Sequence, residues 1–173
     1  MTSVFELAPS GRSRCRGCGQ PVARGETRFG ERLPNPFAEG EMTQWFHPLC
    51  AAYKRPEALL EALVSDLSDR DTLEKAARSS LAQKRLARID GAERSPSSQA
   101  RCRQCHEPIE KGAWRIRLVF YEEGTFNPSG FIHVACREAY FETGGDILEH
   151  VLHFSRGLSA DDREALGRAF PKA

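Results

Sequence analysis

Two sets of four metal-ligating side chains at nearly the same spacing constrain this chain more than any other feature. Cys15 and Cys18 form a C-x2-C pair, and after 28 intervening residues His47 and Cys50 form H-x2-C. The pattern returns as Cys102, Cys105, His133 and Cys136, with 27 residues between its halves. All six cysteines are used, three per set, each set with one histidine. A two-residue gap lets both sulfurs of a pair turn onto one ion while the distant pair closes the tetrahedron, so each set predicts a Cys3His zinc site. Four protein ligands leave no open coordination position, so two structural Zn2+ per chain are expected. A disulfide framework is the competing use of six cysteines. It gives the two histidines no role, and the opening residues carry neither the basic nor the apolar stretch of a secretory signal. An intracellular protein is expected, cytoplasmic or nucleoid-associated in a bacterium and nuclear in a eukaryote.

At 173 residues the chain could be one domain, but the ligand repeat argues for two small ones. Each is too small to bury a large core, and metal is the usual substitute. The net charge of +1 divides unevenly: residues 1–55 carry +3, 56–94 carry −1, 95–137 carry +2 and 138–173 carry −3. Both ligand-bearing segments are therefore basic, and the segments after them acidic. Arginines outnumber lysines twenty to five, which suits bidentate phosphate binding and equally suits a GC-rich genome.

Residues 1–11 read as a loose leader. Thr27–Leu33 and Thr43–Phe46 read as short strands, the second delivering His47. Helix is expected from Pro48, with Leu59, Leu60, Leu63, Val64 and Leu67 as an apolar stripe. A further helix, capped by Asp69 or Asp71, is expected to reach Asp90, with Gly91 as its stop and Leu73, Ala77 and Leu81 on one face. Its QKRLAR end reads as a solvated spacer. GAERSPSSQA, residues 91–100, reads as a flexible linker. The second module repeats the first with a longer strand, Ala113–Tyr121, in which Trp114, Ile116, Leu118 and Phe120 alternate with Arg115, Arg117, Val119 and Tyr121. After Cys136 come a helix, an apolar stripe over Asp146–Phe154, and a last helix capped at Ser159. The expected architecture is α+β: one zinc-stabilised module over 1–90, a linker over 91–100 and a second module over 101–173.

No catalytic set remains once the cysteines are assigned, so a non-enzymatic binding protein is expected. His150 and His153, three apart on a helix, read as a polar helix face, and His106 as a surface residue. A basic strand face and loop aromatics on a zinc-fixed scaffold suit a nucleic acid with accessible bases. From pattern alone, Phe37, Met42 and Phe126 are equally well core residues.

The stretch SGRSRCRGCGQPVARGETRFGERL, followed by WFHPLC, resembles the poly(ADP-ribose) polymerase-type zinc finger. The Ser-Gly-Arg lead-in, the C-x2-C pair, an arginine ten residues after the second cysteine and aromatics before H-x2-C carry the likeness. The second copy matches through SSQARCRQCHEPIEKGAWRIRL and FIHVAC. The resemblance implies recognition of DNA strand breaks. Arg12, Arg14 and Arg28 in the first finger, and Arg101, Arg115 and Arg117 in the second, would grip backbone phosphates. The base-capping loop maps to Phe37, Ala38 and Met42, with Phe37 replacing the bulky residue missing at Ala38. In the second finger Phe126 and Phe131 are the candidates, although Gly130 departs from the family there. With no room for a polymerase or ligase domain before Ala173, a stand-alone double finger for DNA ends, nicks or gaps is expected. A protein-interaction adaptor of the LIM or RING kind, or a non-catalytic subunit of a repair enzyme, is the alternative.

Overall fold

The computed structural model describes residues 3–143 and 145–170. The chain forms two compact units, Met1–Ala82 and Gln83–Ala173. Each is α+β, with a three-stranded antiparallel sheet followed by helices.

In the first unit, β1 (Val4–Leu7) lies along β2 (Thr27–Pro34), which pairs with β3 (Glu41–Phe46). The register sets Phe5 opposite Phe29 and Phe29 opposite Phe46. The rings stack across the strands with centroids 5.1 and 6.3 Å apart, the cross-strand contact that stabilises a short sheet. Phe29 and Glu31 share one face of β2, and Arg28 and Gly30 the other. Three helices follow: α1 (Pro48–Lys54), α2 (Pro56–Ala62) and α3 (Arg70–Ala82). Proline opens both α1 and α2, where its missing N–H costs nothing.

The second unit repeats this order. An edge strand β4 (Arg88–Arg94) precedes the cysteine pair, and β5 (Trp114–Glu122) and β6 (Thr125–His133) follow it. A 3-10 turn over Val134–Cys136 leads into α4 (Arg137–Phe141), α5 (Ile147–His153) and α6 (Ala160–Ala169). The core gathers Ile89, Ile109, Ile116, Leu118 and Ile132 from the sheet side against Phe141, Ile147, Val151 and Leu166 from the helices. The Ser159 side chain caps α6 by accepting the Asp162 N–H at 3.1 Å, as its sequence predicts.

Several expectations are corrected. The supposed leader contains β1, held by pairing with β2. The apolar stripe after Pro56 is no single helix: α2 stops at Ala62, Leu63 is extended, and Val64 is 47% exposed. The next helix ends at Ala82, not Asp90, and Leu81 on it is exposed. Residues from Arg88 onward are strand because Ile89, fully buried opposite Leu118, gains more from the sheet core than from helix propensity. Gly91 stops no helix; it sits in a bulge between Ile89 and Ala92. The 91–100 stretch is no free linker either. Its first residues complete β4, and Ser95, 2% exposed, exchanges main-chain bonds with Ala113 and Gly112 at 2.8 and 2.7 Å.

The alternation of burial expected along β5 holds through Leu118 and then fails. Val119 is buried and Phe120 is 37% exposed; the register with β6 slips beside them, where Arg117 and Val119 face Phe131 and Pro128, so the extra residue lies in β6. That bulge shifts the side chains of β6 against β5, which itself runs on without an extra residue.

Candidate metal centres and nucleic-acid interface

Each cysteine pair sits on a turn that folds back on itself. The Cys15 N–H donates to the Gln20 carbonyl at 2.8 Å, and the Gly19 N–H returns to the Cys15 carbonyl at 2.8 Å. In the second unit Cys102 and His106 play the same parts, with Cys102 N–H to the Glu107 carbonyl and His106 N–H to the Cys102 carbonyl, both at 2.9 Å. The last residue of the turn has positive φ, 77° at Gly19 and 65° at His106. The otherwise unexplained His106 is thus a turn residue in a left-handed conformation.

The turns aim backbone donors at the first sulfur of each set. Cys15 Sγ accepts the Gly17 and His47 N–H groups, both at 3.3 Å. Cys102 Sγ accepts those of Gln104 and His133, both at 3.4 Å. The histidines stand at the mouths of the helices, extended, at ψ 140° and 146°. His47 Nε2–H donates to the Pro21 carbonyl and His133 Nε2–H to the Pro108 carbonyl, both at 3.2 Å. A carbonyl can only accept, so each Nε2 carries the hydrogen and each Nδ1 turns a lone pair toward the sulfurs.

All four ligand atoms in each set lie within 4.8 Å of one another. Nδ1 of His47 is 3.4 Å from Cys18 Sγ and 3.9 Å from Cys50 Sγ; the matching distances to His133 are 3.3 Å from Cys105 and 3.9 Å from Cys136. Zn–S bonds of about 2.3 Å and Zn–N bonds of about 2.0 Å give a tetrahedron with edges of roughly 3.5–3.8 Å. Both sets fit a structural zinc ion.

Protonation tells the same story. Hydrogen bonds from Cys15 and Cys50 push the Cys18 thiol well down, while bonding to Cys15 and Cys18 pushes Cys50 far up. His47 is raised to about 10 by its contacts with Cys15 and Cys18. In the second set burial opposes the Cys102 thiolate, but N–H groups of Cys105, His133 and Gln104 outweigh it and bring the thiol to about 7. Burial and the neighbouring Cys102 raise Cys136 to about 12. Such crowded thiols cannot all ionise without a cation between them, and a metal supplies it by displacing the protons.

The remaining sequence candidates fall into three groups. Arg12, Arg14 and Arg101 are exposed. Arg14 and Arg101 occupy equivalent places, each bonding the last carbonyl of its turn, Gly19 at 3.2 Å and His106 at 3.1 Å. Arg28, Arg115 and Arg117 are tied into the sheets. Arg28 is 8% exposed, its Nη2 donating to Glu6 at 2.6 Å and its Cζ lying 3.4 Å from the Trp45 ring centroid. Arg115 is 7% exposed, 3.6 Å from Glu93, with its Cζ 3.6 Å from the Phe131 ring centroid. Arg117 spends Nε and Nη2 on the Asp90 carbonyl at 3.1 and 2.9 Å.

The aromatic candidates differ as sharply. Phe37 is 92% exposed. Asn35 shapes its loop, accepting the Phe37 N–H at 2.9 Å while its own N–H reaches the Gly40 carbonyl at 3.0 Å. Met42 is half-buried on β3. Phe126 is half-buried with its ring 4.7 Å from that of Tyr121, and Phe131 covers Arg115. His150, read as part of a polar face, is instead fully buried with Nδ1 3.1 Å from Gln83 Nε2, and His153 is half-buried with its ring edge-on to Phe154.

Glu6 and Glu93 were missed. Each stands nine residues ahead of the first cysteine of its set, and the paired arginines, Arg28 and Arg115, stand thirteen residues after it. That doubled spacing is the signal that could have found them.

Residues 6–84 match the family described as "Poly(ADP-ribose) polymerase and DNA-Ligase Zn-finger region". Poly [ADP-ribose] polymerase 1 of Oryza sativa subsp. japonica is 28% identical over 84% of this chain and 16% of its own length. Poly [ADP-ribose] polymerase 1 of Gallus gallus is 24% identical over 96% of this chain and 19% of its own. Poly [ADP-ribose] polymerase of Drosophila melanogaster is 27% identical over 69% of this chain and 14% of its own. The chain thus spans less than a fifth of the length of these relatives.

Proposed function

We propose, from the match of residues 6–84 to the zinc-finger family of poly(ADP-ribose) polymerases and DNA ligases, that the chain is a double-finger DNA-binding protein that recognises strand breaks. Phe37 carries the reading. A bare phenyl ring on a shaped loop, 92% exposed, gains nothing in water and much against the uncovered face of a base pair. Intact duplex hides those faces against each other; an end, nick or gap presents one.

On this reading Arg12, Arg14 and Arg101 contact phosphates directly. Arg28 and Arg115 reach the backbone by exchanging the carboxylates of Glu6 and Glu93 for phosphate, and Arg117 braces β5 beside them. Phe37 caps the exposed pair with Met42 at its side. Phe126 and Phe131 supply the apolar surface of the second finger; Phe126 already stacks on Tyr121, so its removal costs less than that of Phe37.

Binding assays on nicked, gapped, blunt-ended and closed circular DNA test this. Base stacking on an aromatic side chain is worth roughly 1–3 kcal/mol, so Phe37→Ala lowers affinity for broken DNA roughly ten- to a hundredfold and leaves closed circles nearly unchanged. A wild-type ratio of broken to closed binding in this variant refutes the capping role. With about five phosphates neutralised, log K falls against log salt with a slope of roughly −4 to −5. An affinity for DNA indifferent to salt points instead to a protein-interaction adaptor.

A further inference from the structure

The QKRLAR stretch, Gln83–Arg88, reads from sequence as a spacer, yet the second unit holds it in place. The Lys84 N–H donates to the Phe141 carbonyl at 3.0 Å. Arg85 Nε donates to the Tyr140 carbonyl at 3.4 Å, and its Cζ lies 5.1 Å from the Tyr140 ring centroid. Arg103 arrives from the cysteine turn, anchored by its N–H on the Phe131 carbonyl at 2.8 Å. Its side chain crosses Gly130, where a Cβ would stand 2.6 Å from Arg103 Nε. Gly130, at φ +95°, thus leaves the path that Arg103 occupies. Burial pushes the Tyr140 phenol up, and the charges of Arg85 and Arg103 both act against that shift.

All three cations are exposed. Among the described residues none of them forms an ion pair, whereas Arg28, Arg55, Arg70, Arg78, Arg115 and Arg117 each meet a carboxylate. Neither the Arg85 nor the Arg103 guanidinium group has a carboxylate opposite it among the described residues, so each is open to an anion from outside. Their planar forks match the oxygens of a phosphate, and the bonds made by Arg85 Nε and the Arg103 N–H restrict both residues before any ligand arrives.

We infer that Arg85 and Arg103, with Lys84 beside them, form a second phosphate-binding patch that grips the DNA backbone flanking a break. The inference rests on the DNA reading above. Phosphates are the same in every duplex, so the patch adds affinity without break preference.

The experiment uses the full zinc-loaded chain on a nicked duplex and a closed circle across a salt series. Arg85→Ala and Arg103→Ala each flatten the slope of log K against log salt by about one unit and lower affinity roughly tenfold for both DNAs, leaving their ratio unchanged. Arg103→Lys keeps most of the slope. Arg156→Ala, an exposed arginine outside the patch, keeps all of it. Zinc content of two per chain and an unchanged circular dichroism spectrum establish that the variants are folded. Wild-type slopes in both alanine variants overturn the patch, as does an equal loss in Arg156→Ala. If the wild-type chain binds neither DNA, the strand-break reading falls and the patch with it; if only the slopes fail to move, the patch alone falls.

Discussion

Stripping zinc from the reduced protein should unfold both modules. Each ligand set joins a cysteine turn from one side to the entrance of a helix from the other. In the first unit the ion meets a small core built around Phe29, Phe46 and Leu59, and the histidine at the helix mouth offers no side-chain cap bond of its own. Structural zinc contributes on the order of 10 kcal/mol of apparent folding free energy, comparable to or above the whole stability of a domain this small. Without it, three thiols and an imidazole crowd one another in each unit. Cys50→Ala and Cys136→Ala should each leave one Zn2+ per chain by elemental analysis and abolish the cooperative melt of one module. A chain that keeps its circular dichroism spectrum after chelation would sink the structural role of the metal.

The next largest effect should follow from Arg55→Ala. Glu31 is 3% exposed on the helix-facing side of β2, and Arg55, between α1 and α2, meets it with Nε at 2.9 Å and Nη2 at 2.6 Å. Truncating the arginine leaves a carboxylate buried and robbed of its main counter-charge, which typically costs about 3–5 kcal/mol. The denaturant midpoint of the first module, with zinc in excess, reads this directly. Arg55→Ala combined with Glu31→Gln should recover much of the loss, since the orphaned charge is what hurts. A drop below about 1 kcal/mol in the single variant would mean that the pair is solvated and dispensable.

How much of this was legible beforehand depended on how local each signal was. The ligand spacing, the strands beside it and the Ser159 cap depend on a few neighbouring residues, and the structure has them where the sequence pointed. The two edge strands did not announce themselves. VFEL and RIDGAER are short and, in the second case, charged and interrupted by glycine; they become strands only because β2 and β5 offer partners far along the chain. QKRLAR carries good helix formers, and tertiary pairing at Ile89 overrode them. The bulge in β6 was out of reach for a different reason. A bulge belongs to the pair β5–β6, and neither strand shows it alone. Among the proposed contact residues, sequence pattern could not separate the bare ring of Phe37 from Phe126, because exposure there is decided by whether a second ring, Tyr121, is at hand.

All four ligands of the first site lie before Ala51, and its unit closes at Ala82. No residue of the second ligand set takes part. On a ribosome, where domains complete themselves from the N-terminus onward, the first finger can therefore load its ion and close while the second set of cysteines is still being made. Sequential loading keeps reactive thiols of the two sets from coexisting in bulk, which limits wrong cross-links between them to whatever interval the second set spends waiting for metal.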